Sequence, residues 1–193
     1  MSARFDMNQD GDRIVVAQEV PAPRATIKGY VTALLRDPVT KQVKARFQRP
    51  NIVTNAGDYF YAQAIAEKFG NGTASTAFAR MVLGTAGNAP AKTSVYSDLT
   101  SVVAGSEQAF DSGYPQDNDP DSTNPVGDKQ RVLTYRVTYA AGTATATGIN
   151  RVAITIASPI TTSPLLMYAT FSAFDKGASD ELVMFVNHTL TGS

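Results

Sequence analysis

Apolar and polar positions change their period several times along the chain. Ile27, Val31 and Leu35 lead into "DPVTK", after which Val43, Ala45 and Phe47 alternate with Lys44, Arg46 and Gln48. Two period-two runs around a proline-containing turn predict a β-hairpin over 27–49. Pro50 is expected to stop the second strand, since it has no N–H to donate to a ladder. The pattern then becomes helical in "NIVTNAGDYFYAQAIAEKFGNG" (51–72). Asn55 or Thr54 can cap the helix start, and Asp58 suits its positive end. Tyr61, Ile65 and Phe69 recur at spacing four, and Tyr59, Ala62 and Ala66 fill out the same broad face. An amphipathic helix over about 56–69 follows, with Lys68 and Gly70 at its end.

"TAFARMVLGTAGNAP" reads as a short, largely buried strand entering a glycine- and proline-rich loop, and 92–110 is ambiguous. Residues 111–130 have no apolar period and predict a long exposed loop. The last third alternates most cleanly: Leu133, Tyr135, Val137 and Tyr139; Val152, Ile154 and Ile156; Leu165, Met167, Ala169 and Phe171; Leu182, Met184 and Val186 opposite Val183 and Phe185. Four such runs between turns predict a mainly β, antiparallel sandwich or jelly-roll-like domain over 26–193. Residues 1–25, punctuated by Pro21 and Pro23, read either as an extended N-terminal arm or as a disordered tail.

Composition narrows the chemistry. The chain has 17 basic and 17 acidic side chains, so no basic excess points to nucleic acid or an anionic membrane. It has no cysteine, which excludes disulfides and thiolate metal sites. The first residues do not read as a signal peptide, and no apolar run approaches the length of a membrane span. His188 is the single histidine, so a Ser–His–Asp system would have to run through it. Without a nucleophile elbow, it is expected to be a strand-surface or interface histidine. Neither "GNG" nor "LGTAG" opens a helix that could hold phosphate.

Two acidic stretches resemble calcium loops in part. "DMNQDG" starts at Asp6 but has Ala17 where the bidentate Glu belongs. Asp117, Asp119 and Asp121 alternate, with Asp128 twelfth and Pro120 in the middle. They are calcium candidates or a solvated acidic turn. No catalytic residue and no cofactor is expected. The lack of tryptophan counts against a carbohydrate-binding jelly-roll module, which remains an alternative.

Asn51–Gly57 opening a helix, followed by Leu83–Ala86 closing a strand, resembles small virion proteins of tailed bacteriophages. These are head decoration or cement proteins and related tail, neck or fibre-base proteins. The resemblance spans roughly 27–190. It implies a non-enzymatic structural protein in the virion, assembled in the host cytoplasm. Its implied partners are the major capsid protein and copies of itself, as a homo-oligomer for which a trimer is one option, with no nucleic acid and no membrane.

Overall fold

The computed structural model describes residues 5–7, 13–15, 26–68, 77–117 and 130–191. Its strands are β1 (Phe5–Met7), β2 (Arg13–Val15), β3 (Thr26–Arg36), β4 (Val43–Val53), β5 (Phe78–Ala86), β6 (Ser101–Val102), β7 (Gln108–Ala109), β8 (Gln116–Asp117), β9 (Gln130–Tyr139), β10 (Ala146–Ile156), β11 (Leu165–Lys176) and β12 (Glu181–Thr191). Helix α1 spans Asn55–Lys68, and a short 3-10 turn spans Tyr96–Asp98.

One antiparallel path runs β6-β5-β10-β11-β4-β3-β12-β9-β8, with β7 pairing β5 beside it. The separate pair β1–β2 joins Phe5 to Val15 and Met7 to Arg13. The domain is mainly β and antiparallel, as expected, and the nine strands of the path form one continuous curled sheet, a half-barrel. The curl brings distant strands together: the Tyr139 hydroxyl on β9 donates to the Met81 carbonyl on β5 at 3.3 Å, across the interior.

Period-two alternation accounts for the core. Val31, Ala33 and Leu35 of β3, Tyr135, Val137 and Tyr139 of β9, and Leu182, Met184 and Val186 of β12 share one buried cluster. Each large side chain buried in this way contributes about 1.5–3 kcal/mol relative to exposure. β10 is buried on both faces. Val152 and Ile154 face the main core, while Ala153 joins a second cluster with Val82, Leu99, Leu165 and Tyr168. The segment after β5 covers this second face and resolves the ambiguity at 92–110. Gly87 is essential there, because a Cβ would lie 2.3 Å from the Asp98 carbonyl oxygen and 2.4 Å from the Tyr168 hydroxyl. The glycine of "LGTAG" serves close packing.

The hairpin over 27–49 forms as expected. Asp37 Oδ1 accepts from the Val39 and Thr40 amides at 2.9 and 2.8 Å, which sets the turn.

Two expectations need correction. Pro50 does not stop β4, which continues to Val53. The pleat explains why. The Thr54 amide donates to the Leu166 carbonyl at 3.1 Å, so even-numbered positions of this strand point their N–H toward β11. Pro50 therefore lacks a donor only on the β11 side, and its pairing with Tyr30 of β3 survives. Its absent N–H instead ends the β4–β11 ladder, which has only the pairs Val53–Met167 and Ile52–Tyr168.

The helix face also differs. Tyr61 is buried, Phe60 and Ala56 pack on the core, and Tyr59 is 62% exposed, bonding Gln63 on the outer side at 2.7 Å. Ala62 is exposed too. Tyr59 and Ala62 thus lie off the buried face, and the side chains of Ile65, Ala66 and Lys68 lie outside the described set. Phe69 and Gly70 lie outside the described residues.

The loop from 111 starts exposed or half-buried, and its first residue is pinned to the sheet. The Asp111 carboxylate holds Arg136 Nε at 2.9 Å and accepts from the Thr138 amide and hydroxyl at 2.9 and 2.7 Å. Residues 118–129 lie outside the described set.

Candidate functional site

"NIVTNAG" builds a joint between sheet and helix. Thr54 is the N-cap: its Oγ1 accepts from the Gly57 amide at 3.1 Å, and its hydroxyl donates to the Leu165 carbonyl. A Cβ on Gly57 would stand 2.2 Å from the Leu166 carbonyl oxygen and 2.8 Å from Val53 Cγ1. Only glycine lets the first helical turn lie this close to β11. The Asn55 amide donates to the Lys92 carbonyl at 2.8 Å, and Lys92 Nζ pairs with Asp58 at 2.6 Å. The loop after β5 is thereby tied to the helix start.

The joint delivers two residues to a buried polar chain. Asn51 of β4, Gly29 of β3 and His188 of β12 stand on one rung of the sheet. Gly29 has no side chain to obstruct Asn51; a Cβ there would lie 1.6 Å from Asn51 Oδ1. Asn51 therefore crosses β3, and its amide meets His188 Nε2 at 3.0 Å. On the other side of the ring, His188 Nδ1 is 2.5 Å from the Tyr61 hydroxyl of α1, which is 2.9 Å from the Tyr135 hydroxyl of β9. With the amide nitrogen turned to His188, Asn51 Oδ1 is buried without a partner. Rotating the amide lets Oδ1 accept from Nε2–H, while Nδ1 accepts from Tyr61 and Tyr61 accepts from Tyr135.

His188 is fully buried, which corrects the expected surface position. It shares even parity with Leu182, Met184 and Val186, so the strand turns it inward. Burial holds its pKa down at about 3, leaving the imidazole neutral at pH 7. Burial pushes Tyr61 well above the ordinary tyrosine range, with the Tyr135 hydroxyl adding to the effect, and raises Tyr135 to about 12. These three buried, neutral groups, together with the half-buried Asn51, can fix the positions of α1, β4, β9 and β12 relative to one another. They present no atom to a substrate.

A second constellation lies on the surface where β4 and β11 part. A notch of about 130 Å³ is lined by Arg46, Phe47, Gln48, Arg49, Phe171 and Ser172. Its inner wall is aromatic: Phe47 stacks on Phe174 at 4.7 Å, and Phe171 stacks on Phe174 at 5.7 Å. Arg46 and Arg49 are exposed and have no carboxylate partner among the described residues. The neighbouring cations differ in this respect. Arg36 and Lys41 pair with Glu181, and Lys44 pairs with Asp180 at 2.6 Å.

Of the calcium candidates, Asp117 lies in β8 with Arg131 at 3.9 Å, while Asp119 and Asp121 lie outside the described residues. Asp6 of the earlier stretch lies in β1, paired with Ile14. Among the described residues no group of three or more carboxylates and histidines is placed to hold a metal ion. Among them, too, no helix is long and apolar enough to cross a membrane. Sequence reasoning missed the notch, since nothing in the spacing of 46–49 shows where the neighbouring strand departs. No protein-family model, no curated protein and no solved structure matches this chain.

Proposed function

We propose that this chain is a non-enzymatic structural protein of a tailed-phage virion, a head decoration or cement subunit that bridges capsid subunits. One observation carries the reading. Asn51–Gly57 opens the helix and is tied by the Asn55–Lys92 bond to the loop that follows Leu83–Ala86, with backbone close approaches at Gly57 and Gly87. Their use in packing rather than in a site supports a structural role. In this reading the two halves of the curled sheet, joined by two residue pairs between β4 and β11, serve as the facing layers of a jelly-roll-like sandwich.

Purified protein is expected to bind expanded capsids at a fixed copy number per capsomer. Labelled antibody in electron microscopy separates heads decorated in many copies from a tail, neck or fibre-base location. Failure to bind any head or tail particle would reject the virion reading. A specific hit on a glycan array would favour a carbohydrate-binding module instead.

A further inference from the structure

Other edges of the sheet are blunted. β5 is met by β6 and β7, and β9 by β8. Asp111 also covers β9: its amide donates to the Arg136 carbonyl at 2.9 Å, and its carboxylate accepts from the Thr138 amide at 2.9 Å. The β4 side facing β11 differs. Its ladder ends at Ile52–Tyr168 because Pro50 has no N–H there. By the same parity, the backbone N–H and C=O groups of Arg46 and Gln48 face the opening, outside any ladder. Such an edge accepts an added strand, with main-chain hydrogen bonds giving affinity and side-chain pockets giving specificity.

The notch beside this edge supplies the pocket. Phe47 of β4 stacks on Phe174 of β11, and Phe171 stacks on the same ring, so the wall is aromatic. At about 130 Å³ the notch is well below the roughly 300–1,000 Å³ of a small-molecule pocket and suits one apolar side chain. The rim is cationic. Arg46 and Arg49 are exposed and have no carboxylate partner among the described residues, whereas Arg36, Lys41 and Lys44 are paired. A guanidinium holds a carboxylate through two parallel N–H donors. A second β4 would bring its own Lys44, Arg46 and Arg49, so pairing of like strands is disfavoured. An acidic segment is the complement.

Register fixes the order of that complement. Arg46 and Gln48 pair with Leu34 and Thr32 of β3 and share the outer face; Phe47 and Arg49 pair with Ala33 and Val31 and share the inner face. A strand laid antiparallel on β4 is therefore acidic opposite Arg49, polar opposite Gln48, apolar opposite Phe47 and acidic opposite Arg46. We propose that the β4 edge and its arginine-rimmed notch bind an extended acidic segment of a partner protein in this order, adding it to the sheet as a strand. This goes beyond the virion reading, since a peptide tests the edge whatever particle the chain belongs to.

The test is fluorescence anisotropy of a fluorescein-labelled peptide, built of glutamate, threonine and valine in that order, titrated with the full-length protein. Binding is expected, and weaker binding in added salt. Arg46→Glu/Arg49→Glu should lose about tenfold or more in affinity, and should instead bind a peptide carrying lysine in place of glutamate. Melting by circular dichroism should be unchanged in that variant. Two N-methylated peptides, used with the unaltered protein, separate strand addition from charge alone. Methylating the residues opposite Arg46 and Gln48 removes the donors that face β4 and should abolish binding; methylating those opposite Phe47 and Arg49 should not. No binding to the unaltered chain, equal binding by the arginine variant, or equal behaviour of the two methylated peptides would each overturn the proposal. So would self-association in sedimentation velocity that Arg46→Glu/Arg49→Glu abolishes, which would make a second copy the occupant. Failure to bind any head or tail particle, with peptide binding intact, would reject the virion reading alone.

Discussion

β12 and β4 are strands of equal length with opposite situations. β12 is paired with β3 from Glu181 to Thr191 and with β9 from Leu182 to Thr191. β4 is paired with β3 from Val43 to Asn51 but holds β11 at only two rungs. Full pairing lets β12 bury a histidine, because every neighbour that must satisfy it is fixed in place. Partial pairing leaves β4 with backbone groups outside any ladder, arginines that have no carboxylate partner among the described residues, and an aromatic-walled notch. Within one sheet, the number of ladder partners thus separates a sealed polar interior from a surface open to contact.

The largest effect is expected where β4 is anchored. Gly57→Ala forces a Cβ into the Leu166 carbonyl and should cost about 3 kcal/mol in denaturant unfolding. Near-wild-type stability would mean that the helix can shift away from β11.

Acidification should break the interior next. Below about pH 6.5 the unfolded chain binds a proton at its histidine, whereas folded His188 stays neutral down to about pH 3. The unfolded state therefore holds more protons within this window. Stability is whole above about pH 6.5 and falls as pH drops, by up to ~1.4 kcal/mol per unit. A melting temperature that is flat between pH 6.5 and 4.5 would contradict the buried, neutral assignment.

Tyr61→Phe removes the hydroxyl between His188 and Tyr135 and leaves both without that partner. A loss of about 1–3 kcal/mol is expected, together with an altered His188 ring signal in NMR. The smallest change sharpens the comparison in the opposite direction. Pro50→Val supplies the missing donor and should extend the β4–β11 ladder toward Thr170. It should stabilise by about 0.5 kcal/mol and narrow the notch, measurable as slower amide exchange along β11.

The strands were legible because period two survives wherever one face is buried, as in Tyr135, Val137 and Tyr139. The helix start was legible from capping chemistry, though only the structure chose Thr54 over Asn55. The inward turn of His188 is also legible, since its parity with Met184 and Val186 is in the sequence. Other features depended on residues far apart in the chain. Asn51 reaches His188 only because Gly29 stands between them, and Pro50 ends one ladder while sparing another. No local window shows which side of a strand a missing N–H will face. Tyr59 was assigned to the buried side by helical spacing, but α1 meets the sheet through Ala56, Gly57, Phe60 and Tyr61.

The pairing of Thr26 with Thr191 places the start of β3 beside the end of β12. Neighbouring strands are only about 5 Å apart, so a linker of a few residues could close this gap and the chain could be reopened at the 37–42 turn. Fusion partners attached just before Thr26 and just after Thr191 would emerge side by side from one corner of the fold, which makes that corner a natural position for paired fluorescent reporters.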